Sequence, residues 1–208
     1  MNQVTVAKRQ RNQRGEGIKL RDEAIEAAMR ILDRSPAAQL SLRTVAKEAG
    51  VAAPSLYRQF ADADAMLAEV TRECWRQVGD AMVESVRDLT AASPLERLKA
   101  QMGAYVRYAM ERPSRYQMLF ALPVGAEAEL DGPLRPAYRA VLDTILAHGE
   151  EGRALPTEDA VSATILTISF AHGRIALAHL APARPGNSVG DLETFVRSMI
   201  DRLFSAPA

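Results

Sequence analysis

The chain has 208 residues, 48% of them hydrophobic and only 5% aromatic, enough for a substantial core and a composition that suits packed helices. Its 26 Lys and Arg balance 26 Asp and Glu, so the molecule as a whole is neither a polycation nor an acidic tail protein. One cysteine, Cys74, excludes an intramolecular disulfide and a cysteine-built zinc site and points to a reducing, cytoplasmic setting.

The neutral average hides an asymmetry. Up to Phe60 the chain has eleven bases against six acids, and beyond it fifteen against twenty, so a basic front precedes an acidic remainder. Residues 1–15 carry Lys8, Arg9, Arg11 and Arg14 with no acid and no hydrophobic periodicity. They read as a flexible basic arm able to add phosphate or minor-groove contacts, and they lack the apolar run of a signal peptide. A helix is expected over about 17–33, where Ala24, Ala27, Ala28, Ile31 and Leu32 form one buried stripe. Ser35 to Gln39, with Pro36, connects it to the next helix.

Leu40 to Phe60 reads as two short helices around a tight turn. Ser41 caps the first, whose apolar positions Leu42, Val45, Ala46 and Ala49 recur at intervals of three and four. Gly50 ends it, because the residue after a short helix commonly takes a left-handed conformation that glycine adopts without a steric penalty. The second helix opens near Ala53 with Pro54 in its first turn, where a missing amide donor costs nothing. Leu56 and Phe60 face inward, leaving Ala53, Ser55, Tyr57, Arg58 and Gln59 on the outward side and the N-terminal end.

After the turn, Met66, Leu67, Val70, Cys74 and Val78 keep helical spacing from Asp62 or Asp64 to about Asp88, with Trp75 and Cys74 as core residues. Ala91 to Pro94 breaks the pattern, and a helix follows from Pro94 to about Arg112, where Pro113 enforces a boundary. A short amphipathic piece runs to Phe120. Residues 122–133, with two prolines, two glycines and three acids, read as a mobile loop. Helices are expected at about 134–149, 157–181 and 190–205, and no strand pattern appears. Ala160 to Ala181 is long and apolar, but His172, Arg174 and His179 interrupt it, so it reads as a buried or dimer-forming helix and not a membrane span.

The fold class is therefore all-α. The motifs A-x-x-A-G-V at Ala46 to Val51 and S-L-Y-R-Q-F at Ser55 to Phe60, with flanking segments over roughly 18–70, resemble the N-terminal domain of TetR-family transcriptional regulators. The resemblance implies a helix-turn-helix head over 16–62 and a helical ligand-binding and dimerisation body over 63–208. It implies double-stranded operator DNA, a small-molecule effector and a second copy of the chain as partners, with repression the expected sense of regulation. Major-groove docking puts Ala53, Pro54, Ser55 and Arg58 near bases, while the resemblance sends Tyr57, Gln59, Arg43 and Thr44 to the backbone. Arg58 is the expected base reader, since a guanidinium pairs bidentately with guanine O6 and N7. One departure stands out. The family commonly has a lysine at the start of the next helix, where this chain has Ala63 between Asp62 and Asp64.

In the body, E-R-P-S-R-Y-Q-M-L-F at 111–120 and His172-Gly173 resemble the subgroup with a WHG-type C-terminal domain, although no tryptophan accompanies His172. Met102, Tyr105, Tyr108, Met118, Phe120, Tyr138, Phe170 and His172 are candidates for an apolar effector cavity with polar handles. Ile165, Ile168, Ile175, Leu177, Phe195, Met199, Ile200 and Leu203 are candidates for the dimer surface. No hydrolase elbow, zincin, P-loop or dinucleotide motif occurs, so a small helical enzyme is a distant alternative, as is an architectural DNA binder without an effector. Neither a cofactor nor a metal is expected, His172 and His179, seven residues apart on one face, being at most a weak metal pair or a pocket edge.

Overall fold

A computed structural model describes residues 16–120 and 135–205. The basic arm and the loop expected at 122–133 lie outside these residues. Within them the chain forms nine α-helices and no strand.

The head is α1 (Glu16–Leu32), α2 (Leu42–Glu48) and α3 (Ala53–Tyr57). The alanine-rich stripe of α1 is buried, and it meets Leu42, Val45, Ala46, Leu56 and Phe60 in one core. Gly50 adopts φ +67°, and the Val51 amide donates back to the Ala46 carbonyl at 3.0 Å, which closes the turn between α2 and α3. A 3-10 turn over Ala37–Gln39 occupies the connection after Pro36.

The body is α4 (Ala63–Glu84), α5 (Pro94–Glu111), α6 (Pro113–Met118), α7 (Arg135–Glu150), α8 (Ala160–Leu180) and α9 (Val189–Phe204). Helix α5 lies at its centre, packed against α4, α7, α8 and α9. Helix α4 reaches from the head, where it meets α1, into the body, where it packs along α5 and α7. The α4–α7 crossing is close enough to require glycine. A Cβ on Gly79 would stand 2.6 Å from the Pro136 Cβ and 3.0 Å from the Ala137 backbone nitrogen.

Helix α4 stops at Glu84, short of the expected Asp88, because the Ser85 hydroxyl donates to the Met82 carbonyl at 2.7 Å and competes with the helical ladder. Helix α8 starts later than expected, where Asp159 caps it by accepting from the Ser162 amide at 2.8 Å. Helix α8 is long and apolar enough to cross a membrane by length and composition. One face of it nevertheless packs on α5, α7 and α9, and Thr164 and Thr167 donate to carbonyls one turn back at 2.7 and 2.8 Å. Ile175 and Ile200, expected at a dimer surface, are fully buried in the core of one chain. Ile165, Leu177, Leu180 and Phe195 remain exposed.

Candidate DNA-reading surface and effector site

Helix α2 begins with a capping box. The Ser41 hydroxyl accepts from the Thr44 amide at 3.2 Å, and the Thr44 hydroxyl accepts from the Ser41 amide at 2.9 Å. Thr44 also lies 3.0 Å from the Gln39 and Ser41 carbonyls, so its one hydroxyl hydrogen is committed to the protein backbone. The same logic explains the acids after Phe60. Asp62 accepts from the Ala65 amide at 2.8 Å and caps α4, and Asp64 lies in the first turn, where the helix dipole favours negative charge.

On the outward side, Tyr57, Arg58 and Pro54 are exposed, while Ala53, Ser55 and Gln59 are half-buried. Arg58 rests on the Ser55 hydroxyl at 3.3 Å. Gln59 turns back toward Gly17 at the start of α1, and the Gln59 carbonyl accepts from Arg21 at 3.0 Å. Arg21 braces this corner of the head. Its guanidinium makes a two-pronged pair with the Glu69 carboxylate of α4, one arm at 2.7 Å, and stands 5.0 Å over the Phe60 ring. Glu69 is correspondingly held below the usual carboxylate range by that hydrogen-bonded pair.

Most cations of the head are already matched. Arg30 and Arg34 pair with Glu48, and Lys19 pairs with Glu23. Arg43, Lys47 and Arg58 have no ion pair with a described acid and are all exposed. Arg43 and Lys47 lie one turn apart on the side of α2 opposite its buried stripe. Lys47 was not among the residues singled out from sequence, although its spacing from Arg43 is a readable signal.

The expected effector residues separate into groups. Tyr105 on α5 and Phe120 after α6 do meet His172 on α8. The Phe120 and His172 ring centroids are 4.2 Å apart. Two members were missed. Tyr116 on α6 places its hydroxyl 2.7 Å from His172 Nδ1, and its ring stacks on His179 at 5.0 Å with an interplanar angle of 13°. Trp75 closes the group edge-on to Phe120 at 5.7 Å. Burial holds His172 and His179 below the ordinary imidazole pKa, so both rings stay neutral near pH 7.

Met102 and Met118 are plain core. Tyr108 sits by Cys74 beneath Arg112, whose guanidinium is 5.5 Å from the ring, and burial raises the tyrosine. Cys74 is itself pushed up to about 12 by burial, which makes it an inert core thiol. Phe170 is two residues before His172, which turns it about 200° round the helix and away from the cluster. Tyr138 does not join the cluster either. Its hydroxyl is buried near Asp159, at the opposite end of α8 about 20 Å along the helix from His172. Among the described residues no three His, Cys, Asp or Glu side chains converge as metal ligands.

Helix α6 joins this cluster to the head. Arg115, next to Tyr116, donates to Asp33 just beyond α1 and to Gln77 of α4, both at 2.6 Å.

The profile of TetR-family bacterial regulatory proteins matches residues 24–70, and the profile described as "Tetracyclin repressor-like, C-terminal domain" matches residues 98–203, more than half of the chain. The chain belongs to the TetR family. This TetR-family regulator is 26% identical over 159 residues to an uncharacterised HTH-type transcriptional regulator of Mycobacterium tuberculosis, Rv0681, covering 76% of this chain and 69% of that protein. Among solved structures it resembles RolR in complex with its ligand resorcinol, with a TM-score of 0.69, 18% identity, and coverage of 94% and 92% of the two chains. A TetR regulator from Rhodococcus sp. RHA1 gives a TM-score of 0.62 at 22% identity, covering 94% of this chain and all of that one. At these identities the solved structures establish the fold. Membership of the family makes the chain a DNA-binding transcriptional regulator with an N-terminal helix-turn-helix and a helical C-terminal domain.

Proposed function

We propose that this regulator is a ligand-responsive repressor that leaves its operator when a small, mostly apolar effector occupies the cluster around His172. The observation that carries the reading is the adjacency of Arg115 and Tyr116 on one short helix. One side chain is ion-paired to the end of α1, and the other is bonded to His172 and stacked on His179. An effector that binds one arrangement of α6 better than another biases the head by that difference in affinity. That RolR, of the same fold, binds resorcinol supports a body built to hold a small molecule.

In this reading the head spans 16–62 and the body 63–208. Arg58 reads bases from α3, with Ala53, Pro54 and Ser55 beside it. Arg43 and Lys47, with Tyr57, meet phosphates, and each phosphate neutralised by a cation steepens the salt dependence. Thr44 and Gln59 act mainly by holding the two helices in place. Two heads are presented by a homodimer through α8 and α9, where Ile165, Leu177 and Leu180 are 54%, 64% and 82% exposed on one chain. A regulator of this kind works where the chromosome is, in keeping with the reduced Cys74.

The test is a salt-controlled anisotropy titration of the full chain on the DNA upstream of its own gene, repeated across a chemically unbiased ligand library, with solution mass measured in parallel. A saturable operator complex of a dimer, released by some ligands and not others, is expected. A monomer at micromolar concentration, or equal affinity for operator and random DNA, defeats the reading.

A further inference from the structure

The cluster of Tyr105, Tyr116, His172, His179, Phe120 and Trp75 is aromatic throughout and has more hydrogen-bonding capacity than it uses. Two phenol hydroxyls converge on one imidazole nitrogen. Tyr116 takes it at 2.7 Å, which leaves the Tyr105 hydroxyl, on a side chain only 2% exposed, with a long contact of 3.4 Å to the same atom. His179 Nε2 is buried with no hydrogen-bond partner among the described residues. A buried imidazole nitrogen without a partner costs about 1 to 3 kcal/mol relative to a satisfied pair, and the Tyr105 hydroxyl, held by this long contact beside the Tyr116 hydroxyl, is only weakly engaged, so the site favours one group that both donates and accepts.

The cluster also lacks charge. Arg115, the adjacent cation, is committed to Asp33 and Gln77, and Arg112 is placed over Tyr108. A carboxylate or phosphate entering here would be buried without a counter-ion. A plain hydrocarbon would leave His179 Nε2 without a partner and would not improve on the long contact of Tyr105. The ring of Tyr116 lies nearly parallel on His179, so the cluster packs by flat-ring stacking, and Phe120, 46% exposed, is its most solvent-facing member.

We infer that the effector class is an uncharged aromatic hydroxy compound, one flat ring or two, whose hydroxyl accepts from Tyr105 and donates to an imidazole nitrogen. This rests on the effector reading above and narrows it, since it excludes anionic and purely hydrocarbon ligands of the same shape. A ligand that takes the hydrogen bond of Tyr116 frees the residue next to Arg115.

Three near-isosteric probes separate the possibilities: para-ethylphenol, ethylbenzene and para-ethylbenzoate. Binding to the full chain is read from the emission of Trp75, the only tryptophan, and independently by calorimetry at neutral pH. The phenol should bind about ten-fold or more tighter than ethylbenzene, as one satisfied buried pair implies, and the benzoate should bind more weakly still. Tyr105→Phe should weaken the phenol by about five- to ten-fold and leave ethylbenzene unchanged. Melting curves of that variant separate loss of fold from loss of the hydrogen bond, and His172→Phe, which keeps a ring but has no nitrogen, gives a second, independent removal of the acceptor. A benzoate that equals the phenol, an ethylbenzene that equals it, or no binding by any of the three overturns the ligand class. If the ranking holds and the operator complex is untouched, the class stands and the effector reading falls. If anions release the operator instead, the effector reading stands and the class falls.

Discussion

At the scale of single residues, the head divides its cations between two tasks. Arg21, Arg30 and Arg34 are spent on Glu69 and Glu48, and they hold α1 against α2, α3 and α4. Arg43, Lys47 and Arg58 are left for a polyanion. These residues should respond differently to mutation. Arg58→Ala should narrow the gap between operator and random DNA by about 1 to 3 kcal/mol, the worth of one bidentate base contact, with little change in the salt slope. Tyr57→Phe should weaken both DNAs alike by about 0.5 to 1.5 kcal/mol, one neutral hydrogen bond. Competition binding at two salt concentrations checks both, and equal losses on the two DNAs for Arg58→Ala would remove its base-reading role. The acids Asp62 and Asp64 are the cap and first-turn charge of α4. Local helix energetics account for these two acids on either side of Ala63, the position where the family commonly has a lysine.

At the scale of elements, helices were legible because hydrophobic spacing and Gly or Pro punctuation are local signals. Gly50, Pro94 and Pro113 each stand where a helix ends or begins. What depends on distant partners was not legible. Tyr116 gave no sign of facing His172 and His179, which are more than fifty residues away, and Tyr138 gave none of lying at the other end of α8. Two elements carry predictions of this long-range kind. Gly79→Ala sets a methyl into Pro136 and the backbone of α7, so it should destabilise the body by about 1 to 3 kcal/mol, read as a lower denaturant midpoint at unchanged slope. Arg115→Gln removes the link between α6 and Asp33 while Tyr116 keeps its contacts. It should leave ligand affinity within about two-fold and cut the ligand-induced loss of operator affinity, since coupling and binding are separate free energies. A double-mutant cycle with Tyr116→Phe should show that the two residues act through one another. If Arg115→Gln leaves the operator response to ligand intact, α6 is not the connection.

At the scale of the whole molecule, the protonation of three histidines sets how stability varies with pH just below neutrality. The chain has only His148, His172 and His179, and burial lowers all three. His148 packs edge-on to Phe204, with Arg153 adding to the lowering and Glu151 and the Ala154 carbonyl opposing it. His172 faces Tyr105 and Tyr116, and His179 faces Tyr116 with the Ala109 carbonyl opposing the effect of burial. A histidine whose folded pKa lies below its unfolded value of 6.5 binds a proton more readily once unfolded. Its contribution is therefore fully present above that pH and is lost as pH falls through the folded pKa. The carboxylates held low by ion pairs, such as Glu69 and Glu73, act in the same direction but only below their unfolded value of 4.5. Melting temperature should therefore fall in two stages on acidification, first below about pH 6.5 and again below about pH 4.5. The first stage belongs to the three histidines, so His172→Gln should make it shallower by the share of that residue without changing the second. Because protonating His172 also removes the acceptor used by Tyr116, ligand affinity should decline over that first stage as well. A ligand affinity that is flat down to pH 5 while stability falls would place the titrating histidine at His148, away from the aromatic cluster.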